Sequence, residues 1–234
     1  MFVKFRFKPF SLIYAVVFGT PLLFTITYLM AASEGHVEWC IPPIGGCVSI
    51  TDTGIYPPES YVFRFGAYPL MTFMALLFYF FREWLEIVAG EKPLGAQIAW
   101  YLALVACLCM NVALAVMQGK AETAYTIHAV FAISYFVLML ASQALYTYED
   151  FHWRQLESKT ALSIRVGTIF LQLGLLLSIP LLWLFGIKPN QRDIRYEWLI
   201  VLTFFLWYSS FLFERDTVFT EKFRPRQGPG QKRA

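Results

Sequence analysis

Six stretches of this chain are apolar enough, and long enough or nearly so, to cross a bilayer: Phe10 to Ala32, Val62 to Phe81, Gln97 to Met117, Ala124 to Tyr146, Ala161 to Gly186 and Glu197 to Phe213. A helix rises about 1.5 Å per residue and a hydrocarbon core is roughly 30 Å thick, so a span needs about 20 mainly apolar residues. A content of 58% hydrophobic and 18% aromatic residues exceeds that of ordinary water-soluble domains, and no soluble domain is left over. The pattern predicts an all-α polytopic membrane protein. Residues 1–213 are read as one six-helix transmembrane domain, and residues 214–234, rich in Arg, Lys, Pro and Gly, as a flexible basic tail.

The first span follows Lys4, Arg6 and Lys8 and ends near Ala31, Ala32 and Ser33, which invites a signal-peptide reading. Its apolar run is longer than the roughly 7 to 15 residues of a cleaved signal, so a retained helix is expected. Pro21, Pro69 and Pro180 fall inside spans, where local kinks are expected.

The basic residues predict the orientation. With both termini on one side, that side carries fourteen Lys and Arg, and the other carries five: Arg64, Lys120, Lys188, Arg192 and Arg195. The positive-inside rule then places both ends in the cytosol and the first loop, Ser33 to Tyr61, in the lumen or exterior. Disulfides persist in such a compartment, and Cys40 and Cys47 flank a short Pro-Gly segment that a bridge would close. Spacing alone leaves bridged and free thiols open. Cys107 and Cys109, two apart on a helix, face different ways and are read as packing residues. The chain has no Cys-x-x-Cys pair for thiol redox work. His36, Glu38 and Cys40 alternate, but a solvated loop explains them better than a metal site, so neither a metal nor a cofactor is expected.

Polar groups inside a membrane protein avoid lipid and face the bundle interior or a wet cavity. Asn111, His128 and Glu197 all fall at non-cytosolic helix ends, and the first loop brings Asp52, Glu59 and Arg64 to the same side. Two readings follow. These groups tie the loop to the helix ends, including a carboxylate pair with Arg64; or they line a pocket for a lipid headgroup, with His128 able to exchange a proton near neutral pH. The cytosolic halves of the spans offer no comparable polar cluster.

The first loop continues as Ser49-Ile50-Thr51-Asp52-Thr53-Gly54-Ile55-Tyr56-Pro57-Pro58-Glu59-Ser60-Tyr61-Val62-Phe63-Arg64-Phe65. With Pro42-Pro43 before it, this resembles the signature of the Frag/DRAM/Sfk family of six-span membrane proteins: proline, then Ser-x-x-Asp/Ala-x-Gly, then Pro-Glu or a close variant and a Phe or Trp opening the second helix. Tyr61-Val62-Phe63-Arg64-Phe65, Asn111-Val112-Ala113-Leu114 and Thr126-Ile127-His128 resemble the branch of that family acting in the lipid remodelling of glycosylphosphatidylinositol (GPI) anchors after their attachment to proteins, and Glu197-Trp198 resembles the family's acidic-aromatic start of the sixth span. Cys40, Cys47 and Gly45-Gly46 depart from the pattern.

The resemblance implies membrane lipid handling, by GPI-anchor remodelling or phospholipid organisation, with GPI or phospholipid as the partner. It implies an endomembrane setting in the ER or Golgi, with plasma membrane or lysosome as alternatives. Arg224-Pro225-Arg226 looks like a retrieval signal. If the chain transfers acyl groups, His128 would be the base, oriented by Asp52 or Glu59, and Asn111 would donate to an oxyanion. The chain lacks a Gly-x-Ser-x-Gly elbow and the paired histidine-acid motif of common membrane acyltransferases, which favours the alternative of a non-enzymatic subunit or scaffold in a lipid-transfer, phosphoinositide-signalling or autophagy-related complex. No span carries a row of charges suited to ion conduction. A formal charge of +3 is explained by the positive-inside bias, so no nucleic-acid partner is expected.

Overall fold

The computed structural model describes residues 9–117, 122–154, 158–184 and 195–214. They are helical and contain no strand: α1 (Phe10–Ser33), a short α2 (Pro42–Gly45), α3 (Glu59–Ala89), α4 (Leu94–Val116), α5 (Glu122–Arg154), α6 (Lys159–Leu184) and α7 (Arg195–Ser209). Two 3₁₀ turns, Asp52–Gly54 and Ser210–Glu214, complete the elements. Six helices are long and apolar enough to cross a membrane. Each packs on its neighbour in sequence, and α7 returns to α1, so the six close a ring. Pro21 and Pro69 lie within continuous helices.

Helix α3 outlasts its apolar stretch by eight residues, from Phe81 to Ala89. Arg82 explains the extension. It pairs with Glu83 and with Glu86 one turn on, and its guanidinium lies 4.7 Å from the Tyr79 ring centre and 4.6 Å from that of Trp100. The helix stops at Gly90, where φ is +73°.

Lipid tails are as apolar as leucine, so helices associate in a membrane through close packing and interhelical hydrogen bonds rather than by excluding water. Helix α4 buries Ala96, Ala99, Ala103 and Ala106 at helical spacing, and Ser142 of α5 donates to the Ala99 carbonyl at 2.6 Å. An aromatic cluster fills the same half of the bundle: Phe78 stacks on Trp207 at 5.7 Å, Phe81 on Phe211 at 4.4 Å, and Tyr146 packs among them.

This half also holds a polar network, where the sequence predicts little to compare with the cluster at the other end. Arg165, fully buried, donates from Nη1 to Asp150 at 2.5 Å, from Nη2 to Glu214 at 2.5 Å and from Nε to Ser210 at 2.8 Å. Its guanidinium lies 3.9 Å from the Phe211 ring centre. Gln172 donates to Gln143 at 3.0 Å, and the Trp207 indole to Thr147 at 3.1 Å. Glu214, expected to open the tail, is therefore buried in the bundle. Residues 215–234, the rest of the tail, and Lys4, Arg6 and Lys8 lie outside the described residues.

At the opposite end the loop from Glu34 to Pro58 lies over the helix ends. Tyr28 of α1 donates its hydroxyl to the Cys40 carbonyl and accepts from the Cys40 amide, both at 2.7 Å. Cys40 and Cys47 are joined as a disulfide, with Cα atoms 6.7 Å apart. Between them Gly46 takes φ +62°, and a Cβ there would lie 2.9 Å from the Arg195 side chain. Gly46 thus lets the Arg195 side chain at the start of α7 lie against the loop.

Removing one partner of a buried ion pair strands the others in low dielectric, at a cost of about 3–5 kcal/mol. Arg165→Leu is expected to lower stability by that order, read as the loss of monodisperse protein on heating in detergent. An unchanged profile would mean that the network does not hold α5, α6 and the Ser210–Glu214 turn together.

Candidate functional site

Beneath the loop the ring encloses a cavity of about 920 Å³, walled by α1, α3, α4, α5 and α7. Helical periodicity selects the walls. Phe63, Ala67, Leu70, Met71 and Met74 form one face of α3, and Met110, Leu114 and Met117 continue that of α4. Phe136, Phe204 and Phe205 supply further apolar surface from α5 and α7. Polar groups collect under the loop: Ser49, Thr51, Asp52, His128 and Glu197. Tyr56, Tyr125 and Ile133 also line the cavity while exposed on the outer surface, Tyr125 at 72%, so it opens along α5 below the loop.

Backbone geometry aims the polar groups. Ser49 and Asp52 cap one another: the Ser49 amide donates to Asp52 Oδ2 at 3.3 Å, and the Asp52 amide to Ser49 Oγ at 2.9 Å. This turn leads into the 3₁₀ turn, where Gly54 receives the Phe63 ring; a Cβ on Gly54 would lie 2.6 Å from that ring. Thr53 is buried, donates to the Ile50 carbonyl at 2.7 Å and is 3.3 Å from Thr27 of α1. From α7, the Trp198 indole donates to the Val48 carbonyl at 2.8 Å. The loop is thus fixed to α1, α3 and α7 together.

Thr51 bridges α5 and α7. Its hydroxyl donates to Glu197 Oε1 at 3.3 Å and lies 3.5 Å from His128 Nε2, while His128 Nδ1 is 3.0 Å from the Ala113 carbonyl. A carbonyl only accepts, so Nδ1 carries a hydrogen. Thr51 has one hydroxyl hydrogen for two neighbours. It goes to Glu197 Oε1, and the Thr51 oxygen faces His128 Nε2. The three side chains stand in a short row that opens on the cavity.

Of the six polar residues singled out from sequence, Asp52, His128 and Glu197 line the cavity, and Glu59, Arg64 and Asn111 do not. Glu59 is fully buried and accepts from His36 Nδ1 at 2.7 Å; the His36 ring in turn lies 4.9 Å from Tyr56. That pairing replaces the expected carboxylate bond to Arg64, whose buried Nε and Nη2 have no hydrogen-bond partner among the described residues. It also takes His36 out of the alternating set with Glu38 and Cys40. Among the described residues no group of His, Cys, Asp and Glu could hold a metal ion. Arg64 and Asn111 each follow a wall residue, Phe63 and Met110, and a single helical step of about 100° turns them off the cavity. Asp52 and Glu59 therefore do not orient His128; the Ala113 carbonyl does.

Sequence reasoning passed over Thr51, which sits between two motif positions, and the methionine wall, whose signal was the helical spacing of Met71, Met74, Met110 and Met117.

The family model described as the Frag1/DRAM/Sfk1/Cwh43P N-terminal domain matches residues 9–217, nearly the whole chain. The chain belongs to this family. Neither the curated proteins nor the solved structures compared with it contain a match. Membership covers the roof and every wall of the cavity, since all of these residues fall inside the matched range.

Thr51→Val removes the bridge and is expected to lower stability by about 1 kcal/mol, the net worth of an ordinary hydrogen bond. Thr51→Ser keeps the hydroxyl and should restore the wild-type transition in scanning fluorimetry. Equal transitions for all three proteins would mean that the bridge carries no weight.

Proposed function

We propose that this multi-pass membrane protein handles lipid by seating one molecule in the cavity, headgroup at Thr51, Asp52, His128 and Glu197 and acyl chain along the apolar walls. The observation that carries the reading is the cavity's division into a polar roof and a floor of methionine, leucine and phenylalanine. Its volume suits an amphiphile and falls in the range of small-molecule sites, about 300–1,000 Å³. Methionines fill irregular space and adapt to flexible chains. An opening along α5 supplies lateral entry from a leaflet.

The basic residues support placing the roof on the lumenal or exterior side, and a Cys40–Cys47 bridge suits that compartment. Within the family, the resemblance at Tyr61-Val62-Phe63-Arg64-Phe65 and Thr126-Ile127-His128 favours GPI-anchor lipid remodelling in the ER or Golgi. Binding accounts for the geometry without chemistry. A second reading, acyl transfer with His128 as base, draws on one feature: Nε2 faces the Thr51 hydroxyl on the cavity wall rather than a backbone carbonyl.

The chain purified from membranes in mild detergent is expected to carry about one tightly held lipid. Ala67→Trp and Ala132→Trp, which fill the cavity from opposite walls, should each remove it. Undiminished lipid in both variants, read by mass spectrometry of extracts from monodisperse protein, overturns the binding site. His128→Ala with normal expression tests the chemical reading: an unchanged acyl composition of cellular GPI anchors removes it.

A further inference from the structure

The polar end of the cavity has an uneven charge. Asp52 and Glu197 line it, and among the described lining residues there is no Lys or Arg. Arg64 belongs to α3 but is not part of the wall. Arg195 lies one helical step and more from Glu197, with its side chain against Gly46 of the loop. His128, on the Ala113 carbonyl and beside Thr51, is the one described lining group able to become a cation.

A headgroup entering here meets the carboxyl oxygens of Asp52 and Glu197, both partly withdrawn from solvent, where charge acts more strongly than in bulk water. A headgroup that is only anionic brings like charge against like, and no described wall residue supplies the guanidinium or ammonium that phosphate recognition ordinarily uses. Selection between lipids with identical chains then follows from repulsion of one headgroup and attraction of another. Two tyrosines on the rim, Tyr56 and Tyr125, add aromatic faces that favour a cation.

We infer that the cavity selects lipids whose headgroup carries an ammonium group, held by Asp52 and Glu197, over lipids of the same chains whose headgroup is solely anionic. This rests on the lipid-binding reading above and narrows it. An ethanolamine or an amino sugar would satisfy the same chemistry. Phosphoinositides fall on the disfavoured side.

The test uses the full chain in a neutral detergent, titrated with matched lipids and read by native mass spectrometry. Dioleoyl phosphatidylethanolamine is compared with dioleoyl phosphatidylglycerol, and glucosaminyl-phosphatidylinositol with phosphatidylinositol. The ammonium member is expected to bind about tenfold more tightly in one pair or both. Preference in the first pair alone assigns ethanolamine, and in the second alone the amino sugar. Asp52→Asn keeps an oxygen for the Ser49 amide, and Glu197→Gln keeps one for Thr51, so both remove charge while retaining shape. At least one is expected to cut the preference to about threefold or less. Equal or tighter binding of the anionic members, or full preference in both variants, overturns the inference and leaves the binding site standing. Failure of every lipid to bind overturns the lipid-binding reading itself.

Discussion

The architecture depends on hydrogen bonds that join the first loop to the start of the last helix, Thr51 to Glu197 and Val48 to Trp198, across 146 and 150 residues of sequence. Six helices in a bilayer have little apolar driving force to choose a ring over a loose row, because lipid serves each exposed leucine as well as a neighbour does. Fixing that loop to α1, α3 and α7 satisfies its backbone and pulls the first and last spans together. The closed ring and the roofed cavity have the same cause.

The two ends of the bundle treat their polar groups differently. At one end Arg165 meets Asp150, Glu214 and Ser210, and stacked aromatic rings occupy the surrounding space. That end is filled by buried side chains, and the ion network joins three elements. At the other end Asp52, His128 and Glu197 are held in place by loop and helix but retain a face toward open volume. Polar residues that only brace a structure have no need of a large adjoining cavity with apolar walls. The contrast within one molecule gives the reading of the roofed end its weight: where no cavity is needed, the chain packs its buried charges against one another.

Span number and helical class were legible because lipid imposes length and hydropathy on each segment separately. Which end of a helix a polar residue occupies was equally legible, and Asp52, His128 and Glu197 meet because all three lie at the same level. Which way it faces was not. Asn111 and Arg64 share that level with the cavity yet stand one residue past Met110 and Phe63, and a rotation of about 100° carries them from the cavity wall to a neighbouring, half-buried face. The Arg165 network was hidden for a different reason. Its partner Glu214 follows the last apolar stretch by a single residue and reads as tail, while Arg165 reads as one more basic residue on the cytosolic side. Pairing across 49 residues leaves no periodic trace.

The recurring pattern in the first loop acquires a physical meaning here. Ser49 and Asp52 cap each other's amides; Gly54 leaves room for the Phe63 ring; Glu59, buried at the head of α3, is held by His36. Each motif residue therefore sets the curvature of the loop or its attachment to α3. Two of them also look inward: Ser49 and Asp52 line the cavity beside Ile50 and Thr51, and the Thr51 hydroxyl meets both α5 and α7. The motif therefore builds the roof and supplies part of its polar face. Chains sharing it would then differ mainly in the walls, where a single change of size or charge alters the cavity without disturbing the frame.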